Sequence, residues 1–181
     1  MYAIGESLLY GGSGVMTVVD IREEMFGDVS HKYYVLRPAS LRTESLTFVP
    51  TENKKLVSMM RPLLKKEEIY RVMRELESAD DVAWNMDNRR RSDGFKEIIE
   101  SGDRLKMLAM IRTIRRAGDK REKEGKKNYL SDEVAMRKAM KLITTEFATV
   151  LSAQEEQVEE AVISAMDNAD CENENKKSLF R

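Results

Sequence analysis

The chain has 181 residues, 41% hydrophobic and 35% charged, with a formal net charge of −1. That length holds one ordinary domain or two small ones, and the near-neutral charge excludes a globally basic nucleic-acid binder without excluding a local basic patch. A single cysteine, Cys171, excludes an internal disulfide, and a single distant histidine, His31, argues against a zinc site. No run reaches the ~18 apolar residues of a membrane span, and the N-terminus lacks the pattern of a signal peptide. A soluble, cytoplasmic protein is expected.

Residues 1–60 read as β-structure. Ser7 to Tyr10 is a first short strand, and Gly11-Gly-Ser-Gly14 separates it from the β-branched run Val15 to Ile21. The glycine-rich stretch lacks the Gly-Lys-Ser/Thr that holds a phosphate, and no helix follows it, so it is read as a turn between strands. Residues 28–32, around His31, read as a polar hairpin turn. Tyr33 to Leu36 and Leu46 to Val49 complete the set. Several short strands with no intervening helix predict a small, strongly bent sheet or barrel, marginal alone because about 60 residues bury little core.

The pattern becomes helical after Pro62. A first helix is expected over 65–78 and a second over 88–100, with Gly102 as its C-terminal cap and Asp103 capping the next. In that third helix Met107, Met110, Ile111 and Ile114 form one stripe. Ser131 is the expected cap of a fourth helix, whose buried stripe is Met136, Met140, Ile143, Phe147 and Val150. Ser152 and Glu155 match a capping box for a fifth, with a stripe of Val158, Ala161, Val162 and Ala165. The polar residues 169–181 are expected to be a disordered tail. The fold class is therefore α+β: a β unit, then an all-α bundle of about five helices over 61–168.

Charge is uneven along the chain. Between Trp84 and Leu130 there are fourteen Lys or Arg against eight Asp or Glu, whereas from Ser131 onward there are six against eleven. The basic middle is where a polyanion would be met. No catalytic set emerges: His31 has no nucleophile near it in sequence, and the carboxylates are spread along helix surfaces. No enzyme activity, cofactor, metal or small-molecule substrate is expected. Trp84, the only tryptophan, lies in a polar connection just ahead of Arg89, Arg90 and Arg91. Either it packs on the bundle beside a solvated helix start, or it is an aromatic wedge flanked by phosphate-binding arginines. Residues 118–127 form a second basic stretch with alternating signs, read as a solvated helix end and loop.

The chain also resembles the CarD-like family of bacterial RNA polymerase-binding regulators, in order over about residues 1–166. The resemblance rests on the opening Tyr2-Ala-Ile-Gly-Glu-Ser-Leu-Leu-Tyr10 with Gly14-Val15, on Tyr33-Tyr-Val-Leu36, and on Phe48-Val-Pro-Thr-Glu-Asn53. It continues through Arg61-Pro-Leu-Leu64 with Glu67-Glu68, and through Trp84, the basic cluster and Ser101-Gly-Asp103. It implies an N-terminal SH3/Tudor-like β-barrel that binds the polymerase β subunit by extending a sheet edge. The residues implicated are Arg22, Leu46, Thr47, Phe48 and Val49. It implies a helical domain that touches promoter DNA at the upstream edge of the bubble through Trp84, Arg89, Arg90, Arg91 and Lys96. The expected place of action is the cytoplasm, on the nucleoid. Four residues, Asn85 to Asn88, separate Trp84 from the arginines, more than in many members. An alternative stays open: a polymerase-binding adaptor that has no DNA wedge and recruits or excludes another factor.

Overall fold

A computed structural model describes residues 1–26, 29–39 and 45–179, except the side chains of Phe26 and of residues 168–179. Asp28, in the expected hairpin turn, and the Cys171 thiol lie outside the described residues. The chain divides into a β unit, Met1–Leu63 with Glu100–Gly102, and a helical unit, Leu64–Ile99 with Asp103–Arg181. No helix among the described residues is long and apolar enough to cross a membrane.

The β unit is built on strands β1 (Ser7–Tyr10), β2 (Val15–Phe26), β3 (Val29–Pro38), β4 (Thr47–Pro50) and β5 (Met60–Pro62), with the short helix α1 (Lys54–Ser58) before β5. All neighbours are antiparallel and the order is β4-β3-β2-β1-β5. No pairing joins β4 to β5 among the described residues, so the sheet is open, and α1 connects its two edge strands. Gly11–Ser13 is the expected turn, and Gly14 supplies the φ of 90° that lets the chain reverse into β2. One face gathers Leu8, Tyr10, Met16, Val18, Tyr34, Leu36, Val49 and Met60 into a core. Strand alternation puts Tyr33 and Phe48 on the face opposite Tyr34 and Val49, and the register shift between Val18 and Asp20 turns Arg22 to that same outer face.

Two sequence expectations change here. Residues 29–32 belong to β3 rather than to a turn, because β2 and β3 pair as far as Phe26↔Val29. Such an arm forms from mutual backbone pairing, so its polar side chains give little apolar signal. Segment 54–62 lies where strands without an intervening helix were expected, and it contributes the short helix α1 before β5. Asn53 caps α1 by accepting from the Leu56 N–H at 3.1 Å.

The helical unit contains α2 (Lys66–Ser78), α3 (Asn88–Ser101), α4 (Arg104–Lys123), α5 (Leu130–Leu151) and α6 (Glu155–Leu179). Helix α4 packs on α2 and α5, and α6 packs on both of those. Gly102 follows α3 at a φ of 66°, and Asp103 caps α4 by accepting from the Lys106 N–H at 3.1 Å. The predicted stripe of Met107, Met110, Ile111 and Ile114 is buried, together with Phe95, Ile99, Leu108, Ile143, Phe147 and Val162.

The helix ends differ from expectation in three places. Tyr129, not Ser131, stands at the cap position of α5. Ser152 ends α5 in the left-handed conformation, φ 53°, instead of capping α6. Glu155 is consequently free to face α5, where it accepts from the Thr145 hydroxyl at 3.1 Å and pairs with Lys141. Helix α6 continues to Leu179 through residues whose composition suggested disorder. The Glu and Lys residues of that stretch do not oppose helical backbone.

Candidate nucleic-acid interface

The connection between α2 and α3, residues 79–87, carries Trp84, and buried polar groups hold both of its ends. At the first end, Arg112 of α4 is only 1% exposed. Its guanidinium donates to the Leu76 carbonyl at 2.6 Å, to the Ala79 carbonyl, and to Asp81 Oδ1 at 2.9 Å. Asp81 also pairs with Arg116, and the Val82 N–H donates to the Thr113 hydroxyl at 3.0 Å. Arginine suits this position because its planar fork satisfies several acceptors without needing water. The Leu76 carbonyl otherwise receives only the long bond from the Ala79 N–H, 3.4 Å, and the Ala79 carbonyl lies just past α2, so Arg112 supplies donors where the helix runs out of them.

At the other end stands Arg91. Its Nη1 donates to the Asn85 carbonyl at 2.7 Å and its Nη2 to Asn88 Oδ1 at 2.8 Å. Its Nε and Nη2 both reach Asp132 of α5, at 3.1 and 2.9 Å. The guanidinium carbon lies 4.3 Å from the Trp84 ring centroid and 4.8 Å from that of Tyr129. Arg121 covers Tyr129 at 4.1 Å. Trp84 itself is half-buried, with its ring edge-on to Phe95 at 6.4 Å between centroids. It is neither a dense-core residue nor a free-standing ring. It is a partly exposed aromatic whose position is set by Arg91, Phe95 and the fixed loop ends.

This arrangement corrects one residue of the expected DNA-contacting set. Arg91 is 2% exposed and fully engaged inside the protein, so in this structure it does not offer its charge to a phosphate. Sequence places Arg91 beside Arg89 and Arg90, but helical geometry turns position 91 inward while 89 and 90 face solvent. Lys96 is exposed farther along α3. The Asp87 carboxylate accepts from the Arg90 N–H at 2.9 Å, so the basic first turn of α3 carries an acidic cap.

In the β unit, β4 forms one edge of the sheet. The Thr51 N–H bonds to the Lys32 carbonyl at 2.8 Å, and antiparallel pairs alternate between bonded and non-bonded. The Tyr34↔Val49 and Leu36↔Thr47 pairs are therefore the bonded ones, and the N–H and C=O of Phe48 point to the open edge. Pro50 occupies the next outward position, where its missing N–H disturbs no ladder bond. The Phe48 side chain is 42% exposed, with the Arg22 guanidinium 5.0 Å from its ring centroid and Tyr33 edge-on at 6.3 Å. Arg22 also pairs with Glu24 at 3.0 Å. Two members of the expected polymerase-contacting set differ. Val49 is 0% exposed, a core side chain that leaves only its backbone near the edge, and Leu46 precedes β4 as an exposed residue outside the strand.

Sequence reasoning missed Arg112, Thr113, Asp132 and Tyr129. A signal for the first two was present. Met107 to Ile114 is buried on every side, and an all-round apolar helix segment is an interior one. Arg112 and Thr113 within that run therefore have to be hydrogen-bonded. Asp132 carries no such signal, because its partner Arg91 lies 41 residues back along the chain, and Tyr129 meets the same Arg91 only through tertiary packing. Comparison with protein-family models and with curated proteins finds no match for this chain.

Proposed function

We propose that this chain is a non-enzymatic regulator of transcription initiation, of the kind the CarD-like resemblance implies. Its β unit binds the RNA polymerase β subunit, and its helical unit contacts promoter DNA near the upstream edge of the bubble. The observation that carries the reading is β4. The strand that the resemblance assigns to polymerase pairing is a sheet edge, with an outward Phe48 backbone and an exposed Phe48 ring. An unpaired edge of this kind suits pairing with a strand of another protein. A finer reading, that the β unit is an SH3/Tudor-like barrel, is supported by the strand order and by α1 linking β4 to β5.

On the DNA side, Trp84 is the stacking group, and Arg89, Arg90 and Lys96 supply positive charge. Arg91 acts through Trp84 by fixing the ring, and does not itself touch DNA. Contact through so few phosphates is weak, sequence-tolerant and salt-sensitive. Permanganate footprinting of promoter complexes tests the reading. The chain should alter the lifetime of the reactive bubble, and should do so only when it is bound to polymerase.

The burial of Arg91 also favours a second reading, since it removes one cation from the expected cluster. In that reading the chain is a polymerase-bound adaptor without a DNA wedge. Unchanged bubble lifetime despite firm polymerase binding would select it.

A further inference from the structure

The connection that carries Trp84 also carries Met86. Met86 is 85% exposed, more than any other large hydrophobic residue among the described residues apart from the N-terminal Met1. A lone exposed apolar side chain is ordinary and has no meaning by itself. Here the backbone beneath it is held in place on both sides. The Asn85 carbonyl accepts from Arg91 Nη1 at 2.7 Å, and Asn85 Oδ1 accepts from the Asp87 N–H at 2.9 Å. The Asp87 carbonyl accepts from the Arg91 N–H at 2.9 Å, and its carboxylate from the Arg90 N–H at the same distance. Residues 85 and 87 are thus both tied to the first turn of α3, and the apolar side chain between them stands in solvent.

Trp84, two residues earlier, is placed differently. The Arg91 guanidinium lies over its ring at 4.3 Å, and Phe95 meets it edge-on. A group inserted between two stacked bases is contacted on both faces, and one face of this ring is already taken. The ring can stack on a base brought to it, but it is poorly suited to entering the stack. Met86 has the opposite properties. Its side chain is unbranched and polarizable, its sulfur packs well on aromatic faces, and methionine is one of the apolar side chains that wedge between base steps. Arg89 and Arg90, both exposed, follow it closely and offer charge to the flanking phosphates. The Asp87 carboxylate is turned to the N-terminus of α3, where the helix dipole offsets its charge.

We propose that Met86 is the inserting group of the DNA contact. It enters beside the last stacked base pair at the bubble edge, while Trp84 stacks on a base already exposed and Arg89 and Arg90 hold the backbone. Because the connection is fixed before DNA arrives, insertion has to order one side chain and not a loop. The inference rests on the reading that the helical unit meets promoter DNA at the bubble edge. It divides between two residues, Met86 and Trp84, the wedge that the resemblance gives to Trp84 alone.

The test measures open-complex lifetime by promoter-complex decay, with polymerase and the full chain. The parent is compared with Met86→Ala, Met86→Gln, Met86→Leu and Trp84→Ala. Substituting so exposed a side chain should leave Tm unchanged in all three Met86 variants, so the fold does not confound the reading. Met86→Ala should shorten the lifetime about 4- to 15-fold, the range for losing one or two buried CH2-sized groups from the open state alone. Met86→Gln, of similar length but polar, should shorten it likewise, and Met86→Leu should keep it within about 2-fold of the parent, as volume-conserving apolar swaps do. Parental lifetimes for Met86→Ala and Met86→Gln, with a shortened one for Trp84→Ala, would overturn the inference and leave the DNA contact standing. Equal lifetimes for all five chains would remove both. A loss of polymerase affinity in Met86→Ala, measured without DNA, would overturn the inference by making Met86 a protein contact.

Discussion

Replacing Asp132 by alanine probes the structural basis of the Trp84 site. The change leaves the Arg91 guanidinium buried, its side chain 1% exposed, without its counter-ion. Arg91 would keep the Asn85 carbonyl, the Asn88 amide and the two aromatic faces, but none of these neutralises its charge. Removing one partner of a buried pair costs about 3–5 kcal/mol, because it strands an unpaired charge in low dielectric. For a unit of this size that corresponds to a fall in Tm on the order of 10–20 °C. Thermal unfolding followed by far-UV circular dichroism reads the global loss, and Trp84 emission reads the site directly, since the ring lies 4.3 Å from Arg91. The paired change Arg91→Met with Asp132→Leu removes both charges and should recover most of the loss, as apolar replacement of a whole buried pair often does. A loss under about 1 kcal/mol for Asp132→Ala would refute the reasoning, for it would mean that water reaches Arg91. So would a double variant no more stable than the single one.

Other outcomes follow from the same geometry. Trp84→Ala should cost about 2 kcal/mol of stability, below the ~3–5 kcal/mol of a fully buried aromatic, because the ring is half-buried. It should shorten open-complex lifetime roughly 5- to 150-fold if the ring stacks on a base, and promoter-complex decay measures this. Arg89→Ala with Arg90→Ala should leave Tm within the ~0.5 kcal/mol scatter of surface changes. In a salt titration of DNA binding, the pair should lower the slope by up to about 2. Tyr2 and Tyr10 of the β unit should weaken its fold at alkaline pH. Burial raises both phenols above their usual value, and Tyr2 is raised further by Glu6 and Tyr34 against an opposing effect of Arg61. A raised folded-state pKa gives stability that is complete below the unfolded value near 10 and is lost as pH rises through the folded one. Melts across that alkaline range check the sign.

The helices were legible because their apolar residues recur at helical spacing: the Met107–Ile114 stripe and the Gly102-Asp103 boundary are both local signals. The strands were legible where β-branched residues cluster, as in Val15 to Ile21. The outer β2–β3 arm and the three-residue β5 were not, since one is polar and the other too short to show alternation. The site was half legible. Trp84 stood out by its isolation in a polar connection, but Arg91 looked like its neighbours, because a run of arginines hides which one turns inward. Its partner Asp132 directly follows Ser131, the expected helix cap, and nothing local sets it apart from other acids at a helix start. Only tertiary packing brings them together.

The central claim is that the open edge of β4 binds RNA polymerase, and one binding measurement tests it most directly. Purified polymerase is titrated with the full chain and with a Phe48→Pro variant. Position 48 suits the substitution, because its N–H faces outward and proline there removes an edge donor without breaking the β3 ladder. The account predicts a saturable complex for the parent chain and its loss in the variant, with the circular-dichroism spectrum unchanged. Equal binding by both chains, or no binding by the parent, would contradict it.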